Sequence, residues 1–394
     1  MRTIGLLSVR RADYGVLSPI LRRIQQDPEL KIHLIVGGMH LSQEFGMTVK
    51  EIEQDGFPIA ERVEMLSSSD SPEGIAGSMG RGLTGFAQAF SRFRPDLLVA
   101  VGDSFETASA VLAALPFKIP VAHVHGGEIT QGAMDDALRH AVTKLSHLHF
   151  VATEEYKRRV IQMGEEPWRV LVSGAPALDN LKSIRLLSPE ELQEKIGLSF
   201  KRGAPLLVTF HPVTLEYEQA ERQTGELLEA LRGFDFPIVF TRPNADTNGR
   251  VIVRLIESFL QHHPQARLID SLGTVAYFSL MAVAAAMVGN SSSGLVEAPS
   301  FGLPVVNIGT RQRGRVRARN VIDVGYGRRE ITDGIKEAVS PEFRAGLRSL
   351  VNPYGDGTAS ERIVRRLKEV PLDERLIVKR FQDESEREAL NAGR

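Results

Sequence analysis

No cysteine occurs among the 394 residues. That absence excludes disulfides, thiolate metal sites and cysteine nucleophiles, and it fits a reducing compartment. An excess of either charge is missing too: 48 Lys and Arg against 49 Asp and Glu leave a net charge of -1. No global field therefore draws the chain to nucleic acid or to an anionic membrane, and any anion it binds is held by local groups. No apolar run approaches the roughly 20 residues needed to span a bilayer. The stretch from Met1 to Ser8 is too short for a secretory h-region, and Arg10-Arg11 follow it rather than precede it. A cytoplasmic protein with no nucleic-acid and no membrane partner is expected.

What is present is an ordinary globular balance, 42% hydrophobic and 25% charged, in a chain too long for one compact core and suited to two domains. Short runs rich in Leu and β-branched residues alternate with longer helical patterns. Ile4 to Ser8, Lys31 to Val36, Leu97 to Val101, Val121 to Val124 and His149 to Val151 read as strands. The rhythm pauses at 182–202, where Ser188-Pro189-Glu190-Glu191 has the form of a helix cap. It resumes with Leu206 to Phe210, Pro237 to Phe240, Ala266 to Ile269, Ala285 to Val288 and Pro304 to Ile308. The fold class is therefore α/β, with two Rossmann-like domains and a ligand cleft between them. The domains are drawn at 1–182 and 183–370, followed by a charged tail at 371–394 whose end, from Lys379, has no apolar stripe and reads as solvated or frayed.

Chemistry-bearing residues gather where strands hand over to helices, the position at which open α/β sheets bind ligands. His123-Val124-His125-Gly126-Gly127-Glu128 follows one strand, and Asp135-Asp136 and Arg139-His140 come shortly after. Two glycines between His125 and Glu128 let the backbone come close to a ligand. Arg10, Arg11 and Asp13 follow the first strand as a cationic loop without the glycine spacing of a dinucleotide fingerprint. Asp103 ends a third strand. Gly289-Asn290-Ser291-Ser292-Ser293-Gly294 precedes a helix-like Leu295 to Phe301, so that hydroxyls and free N–H groups converge as a diphosphate cradle. His211 and Asn244 end two strands of the second domain and face the first across the cleft. Each motif also has a plainer reading: solvated arginines in a turn, an aspartate N-cap, a structural histidine, a Ser-rich cap. Neither HExxH nor a His-x-Glu with a Cys pair occurs, so no metal and no cofactor are expected.

Taken together, RADYG, HGGE, the block from Asp135-Asp136 to Arg139-His140 with Lys144-Leu145-Ser146-His147, FHPVT, NADT and GNSSSG stand in the order of one family. Over roughly residues 3 to 370 the chain resembles the hydrolysing UDP-N-acetylglucosamine 2-epimerases, in the style of the bacterial capsule and sialic acid branch. That branch also shares Gly314-Arg315-Val316-Arg317 and Val321-Ile322-Asp323-Val324. The resemblance implies two Rossmann domains in the GT-B-like arrangement of many glycosyltransferases, and a homodimer or homotetramer. It implies that Ser291 and Ser292 bind diphosphate, that Glu297 holds the ribose, and that Arg11, His211, Asn244 and Arg311 hold other parts of a UDP-sugar. Asp103, Glu128 and Asp135 fall where the family has acid/base carboxylates, serving turnover more than folding. His125 stands where some members have Glu, and His211 joins these four in the expected catalytic set. Arg10, Arg11 and Asp13 complete the expected substrate contacts.

The chain departs from the family pattern twice. A glycine and a small hydroxyl residue are replaced by Val9 and Arg10, and an arginine beside the substrate is replaced by Ser104. Arg10 is the residue expected to restore the missing charge. The resemblance implies conversion of UDP-N-acetylglucosamine to N-acetylmannosamine and UDP through a glycal. The alternatives are the same reaction on UDP-2,4-diacetamido-2,4,6-trideoxyglucose of legionaminic acid synthesis, a non-hydrolysing epimerase, a glycosyltransferase, or an inactive sugar-nucleotide-binding protein of the same fold. The HGGE-DD-RH pattern argues against the non-hydrolysing reading, and a transferase would not need the carboxylate cluster.

Overall fold

A computed structural model of the protein describes residues 1–131, 133–243 and 248–383. Thirteen described strands form two all-parallel sheets. The first holds β1 (Arg2–Ser8), β2 (Leu30–Gly37), β3 (Ile59–Val63), β4 (Leu97–Val101), β5 (Val121–Val124), β6 (Leu148–Val151) and β7 (Val170–Val172), in the order β3-β2-β1-β4-β5-β6-β7. The second holds β8 (Leu206–Thr209), β9 (Ile238–Thr241), β10 (Ala266–Ile269), β11 (Ala286–Gly289), β12 (Val305–Ile308) and β13 (Val321–Val324), in the order β10-β9-β8-β11-β12-β13. Central strands such as β4, β5, β8 and β12 are buried along their whole length. Helices cover both faces of a doubly wound sheet, so such strands read as continuous apolar runs.

Three strands had no place in the sequence reading as strands, and each is a short or edge element. β3 carries Glu61 and Arg62 and alternates in exposure, β13 contains the exposed Asp323, and β7 has only three residues. Edge strands admit charge because one side has no neighbour, and charge hides their period.

Strand order reverses direction at β1/β4 in one sheet and at β8/β11 in the other, which opens a crevice at the carboxyl ends of those strands. The two crevices face each other. Thr214, just past β8, accepts a 2.7 Å hydrogen bond from the Met134 N–H that begins the helix Met134–Leu145 of the first lobe. Ser271 donates to Glu51 at 2.7 Å, and Arg11 to the Arg242 carbonyl at 3.0 Å.

The chain returns to the first lobe at its end. Ile363, Val364 and Leu367 of the helix Ala359–Glu369 share a core with Ile4, Leu17 and Val36, although sequence grouped that helix with the second domain. Of the end expected to be solvated, Arg380, Phe381 and Asp383 are exposed, whereas Lys379 is engaged. Lys379 Nζ donates to the carbonyls of Lys144 (2.7 Å) and Ser146 (2.6 Å) and to buried Glu165 (2.8 Å). Four described carbonyls, three of them between Arg375 and Val378, likewise accept from Arg169. A tail of charged residues looks solvated in one dimension because its partners lie far back in the chain. Among the described residues no helix is long and apolar enough to cross a membrane, and no group of three or more His, Asp or Glu is placed to hold a metal ion.

Candidate active site

A cavity of about 300 Å³ lies between the lobes. The first lobe supplies Arg11, Asp13, Asp103, His125, Glu128 and Arg139 to its wall, and the second supplies His211, Tyr277, Ser291, Ser292, Glu297 and Arg315. A larger cleft of about 510 Å³ opens beside it, lined by Glu44, Asp70 and Ser78 on one side and by Arg242, Asn248 and Arg254 on the other. Arg250 on its wall pairs with Glu44 at 2.7 Å, and none of its described lining residues is a histidine. Most of the residues that the sequence singles out line the smaller cavity.

The loop after β5 builds one wall. His125 has φ 67°, a left-handed conformation that costs a non-glycine residue about 1 to 3 kcal/mol and persists only where the surroundings enforce it. Its N–H donates to the Phe150 carbonyl at 3.0 Å, and its carbonyl accepts from Arg139 at 2.9 Å. Gly127, at φ 76°, brings the loop so close to the helix Glu154–Gln162 that a Cβ would stand 2.6 Å from the Tyr156 carbonyl oxygen. The turn returns Glu128 to His125, whose Nδ1 lies 2.7 Å from Glu128 Oε1. The other carboxylate oxygen meets Arg315 Nη1 of the second lobe at 3.1 Å. Burial alone would raise the Glu128 pKa; the charge of Arg315 and the contact with His125 outweigh it and hold the group well below the usual carboxylate range. Arg315 is raised in turn by Glu128, against the effect of its own burial. Glu128 is therefore a fixed anion with both oxygens engaged. When Nδ1–H of His125 donates to it, Nε2 is the nitrogen left to exchange a proton.

Asp103 lies just past β4 and pairs with Nη2 of Arg139, whose Nη1 is the donor to the His125 carbonyl. One guanidinium thus ties an aspartate and an imidazole loop together on the cavity wall. Asp103 is the more exposed of the two acids, at 20% of its side chain against 2% for Glu128. It has a surface to offer a substrate that Glu128 lacks.

Other expected site residues stand further back. Asp135 is buried and does not line the cavity; Arg10 Nη1 lies 3.9 Å from it. Arg10 itself grips buried Glu106 at 3.0 Å and covers the Phe105 ring, so the charge that sequence assigned to the sugar is spent inside the wall. Ser104 caps the helix Phe105–Ala114 by accepting from Thr107 N–H at 3.1 Å. Neither Ser104 nor Phe105 reaches the cavity. Asp13 borders the cavity, yet its Oδ2 accepts from the N–H groups of Arg10 (2.9 Å) and Val9 (3.2 Å); burial pushes its carboxyl up to about 7. Asn244 lies outside the described residues. His123, of the opening motif, is buried with its ring bonded to Gly102 O (2.7 Å) and Thr143 (3.1 Å), a packing role.

The opposite wall is built at the ends of β8 and β11. Gly289 has φ 136°, and a side chain there would collide with the Thr209 carbonyl, so the two strand ends touch. Buried Asn290 then locks the loops together, accepting from His211 N–H at 2.7 Å and donating to His211 O at 2.9 Å. Arg311 (3.2 Å) and Gln312 (2.8 Å) donate to the Asn290 carbonyl. Arg311 is thereby a support for the loop rather than part of the cavity wall. Ser291, Ser292 and Ser293 border the cavity beside Tyr277, whose hydroxyl burial pushes up to about 12. The expected helix Leu295 to Phe301 is instead one α-turn, Ser293–Val296, and a 3-10 turn, Ala298–Phe301. Pro299, which lacks an N–H and restricts its predecessor, stands in the first positions of the second turn. Glu297 sits at that junction; its Oε2 has no partner among the described residues, and burial raises its pKa. His211 is kept neutral by burial and by the charges of Arg311, Arg11 and Arg10.

Arg139 and Arg315 are among the cavity residues that sequence reasoning left without a role. Both were visible, one in the RH pair and one in the GRVR run, but only the fold brings them to Asp103 and Glu128.

A two-lobed α/β enzyme with acid–base groups on one wall and a hydroxyl-lined, nitrogen-rich loop on the other is what fold and site define. The family model for UDP-N-acetylglucosamine 2-epimerase matches residues 22–368. The chain belongs to that family. It is 37% identical over 375 residues to the GDP/UDP-N,N'-diacetylbacillosamine 2-epimerase (hydrolyzing) of Campylobacter jejuni, covering 94% of this chain and 97% of the relative. It is 36% identical over 380 residues to the UDP-N,N'-diacetylbacillosamine 2-epimerase (hydrolyzing) of Legionella pneumophila, covering 96% and 99%. The crystal structure of UDP-GlcNAc 2-epimerase from Neisseria meningitidis bound to UDP-GlcNAc superposes with a TM-score of 0.80 at 21% identity, covering 94% of this chain and 100% of that one, and shares the two-lobed GT-B-like fold.

Proposed function

We propose that this chain is a hydrolysing 2-epimerase that converts UDP-N-acetylglucosamine to N-acetylmannosamine and UDP. The observation that carries the reading is the buried chain His125–Glu128–Arg315, an imidazole oriented by a fixed anion on the wall opposite the serine loop. In this reading the diphosphate lies against Ser291 and Ser292, and Glu297 accepts from the ribose hydroxyls with its unpartnered oxygen. Arg11 and His211 border the nucleotide sugar between them.

The C2 hydrogen of such a sugar is barely acidic, so its removal is coupled to loss of the nucleotide. A base on one face takes the C2 proton, the C1–O bond breaks, and UDP departs with the bridging oxygen, leaving a 1,2-glycal. Donors at the serine loop stabilise the charge that develops on the diphosphate. Water then adds its oxygen to C1, and a proton reaches C2 from the opposite face, which inverts that centre. Two proton-transfer groups are needed. His125 Nε2 and Asp103 are assigned these transfers, both on the first-lobe wall of the cavity, and Glu128 orients the imidazole.

A second reading, the same reaction on UDP-2,4-diacetamido-2,4,6-trideoxyglucose, is favoured by the names of the Campylobacter and Legionella relatives. Incubation with each UDP-sugar and identification of the products tests both. Free 2-epimeric sugar plus UDP from one of them supports the epimerase and chooses its substrate. Transfer only to an added acceptor, or binding without turnover, would contradict it.

A further inference from the structure

Arg315 belongs to the loop between β12 and β13, yet its guanidinium is buried in the first lobe. Besides Glu128 it meets the Ile129 carbonyl at 3.0 Å and Thr130 Oγ1 at 3.2 Å. The residue that follows it is held just as firmly. Val316 N–H donates to the Tyr156 hydroxyl at 3.0 Å, and the Tyr354 hydroxyl donates to the Val316 carbonyl at 2.9 Å. The two hydroxyls lie 2.8 Å apart. With Tyr354 committed as donor to the carbonyl, the proton between the two phenols belongs to Tyr156. The ring is closed and has one direction: Val316 N–H to Tyr156, Tyr156 O–H to Tyr354, Tyr354 O–H to Val316 O. Each phenol gives one proton and receives one.

We propose that Tyr156 and Tyr354 are positioning residues of the active site, closing a hydrogen-bonded ring on the Val316 peptide that holds Arg315 against Glu128. The inference rests on the acid–base reading of His125 and Glu128.

Three segments meet in this ring. Tyr156 comes from the helix Glu154–Gln162 of the first lobe, the helix on which Gly127 lies and whose Arg159 donates to the Gly127 carbonyl. Val316 comes from the second lobe. Tyr354 comes from the segment that crosses back, where its carbonyl accepts from Ala175 N–H at 2.8 Å and its N–H donates to Asn352 at 2.9 Å. Asn352 donates in turn to the Val296 carbonyl, next to Glu297, at 2.8 Å. Both phenols are buried and their pKa values are raised, so the ring keeps its protons through the working pH range. Arg315, His125 and Arg139 are the groups that hold Glu128 ionised, with the Glu297 carboxyl and the neutral phenols of Tyr156 and Tyr354 also facing it. Arg315 acts most strongly among those that hold it ionised.

Removal of either hydroxyl leaves a Val316 peptide group buried without its partner and frees Arg315 to withdraw. Glu128 then feels its burial more and its cation less, takes a proton at higher pH, and stops orienting His125. Tyr354→Phe is expected to lower kcat about 10-fold with little change in KM, short of a full acid–base contribution. Tyr156→Phe breaks the same ring from the other side, and melting curves verify that each variant is folded. In an Arg315→Gln background Tyr354→Phe is expected to have no further effect on kcat, because its action passes through Arg315. An equal fall in both backgrounds would overturn the proposal. Nitrogen-15 NMR of histidine-labelled free protein, with His125 identified through His125→Gln, gives a reading that needs no turnover. The wild type is expected to show one fixed Nδ1–H tautomer at His125 and Tyr354→Phe a mixture. An unchanged tautomer would refute the ring's role even if the wild type turned over neither UDP-sugar, a result that by itself would refute only the epimerase reading.

Discussion

Glu128 and Arg315 form an ion pair of 3.1 Å that joins the two lobes at the cavity wall, with the carboxylate side chain 2% exposed and the guanidinium 6%. Such a pair is costly to halve, because the remaining charge is left buried alone; removing one partner typically destabilises by about 3 to 5 kcal/mol. Glu128→Gln is therefore predicted to lower the melting temperature as well as to lose roughly two or more orders of magnitude in kcat. Sequence alone suggested a change in turnover without a change in stability. A native melting curve with full activity would remove Glu128 from the mechanism.

Asp103 makes the opposite case. Its side chain is partly exposed and its neighbour Arg139 keeps other acceptors, the His125 carbonyl and Thr130. Asp103→Asn is predicted to retain a melting temperature close to that of the wild type and to lose about 100-fold or more in kcat, the usual size of an acid–base contribution. Calorimetry and steady-state kinetics on one preparation decide this, and a variant within a factor of a few of wild-type turnover would leave proton transfer to other groups.

Ser292 borders the cavity at the loop that the proposed diphosphate occupies. Ser292→Asp places a carboxylate against it, and like charges at close range in a desolvated site repel strongly. UDP affinity measured by isothermal titration is predicted to fall at least 10-fold. Unchanged affinity would move the diphosphate elsewhere in the cleft.

Buried histidines set the response to acid. Burial lowers His40 to about 4 and His123 to about 3, from an ordinary value of 6.5. Below pH 6.5 the unfolded chain takes up these protons while the folded chain does not, so stability is lost as pH falls from there toward the depressed values. Asp13 works against them: its carboxyl, raised to about 7, binds a proton in the folded state first and stabilises as pH falls from that value toward the ordinary 3.8. With two histidines against one aspartate, the melting temperature is predicted to be lower at pH 5 than at pH 7. In His40→Gln the difference should shrink. An equal difference in that variant would mean that His40 does not report the loss.

Much of the architecture was legible because parallel strands buried on both faces write themselves as apolar runs, and because α/β sheets carry their sites at the ends of those runs. His125, Asp103 and the serine loop were found that way. What sequence could not give was the state of each polar atom. Asp135 stands one turn before Arg139 on one helix, yet one is turned to Arg10 inside the wall and the other ties Asp103 to the His125 loop. Arg10 looked free for an anion and is occupied by Glu106, which follows in the next motif along the sheet. Arg315 lay in a recognisable run, but its partner stands in the other lobe, and no local pattern encodes a contact between lobes. The Tyr156–Tyr354 ring was invisible for the same reason.

In the proposed reaction elimination to a glycal precedes hydration, with proton exchange at C2. Turnover of the accepted UDP-sugar in deuterated water, read by NMR of the product, tests it most directly, and a parallel run in oxygen-18 water follows the anomeric oxygen. The account predicts solvent deuterium at C2, solvent oxygen at C1 of the freed sugar, and UDP that has gained none. Product that keeps its original C2 hydrogen would contradict it and point to simple hydrolysis or transfer.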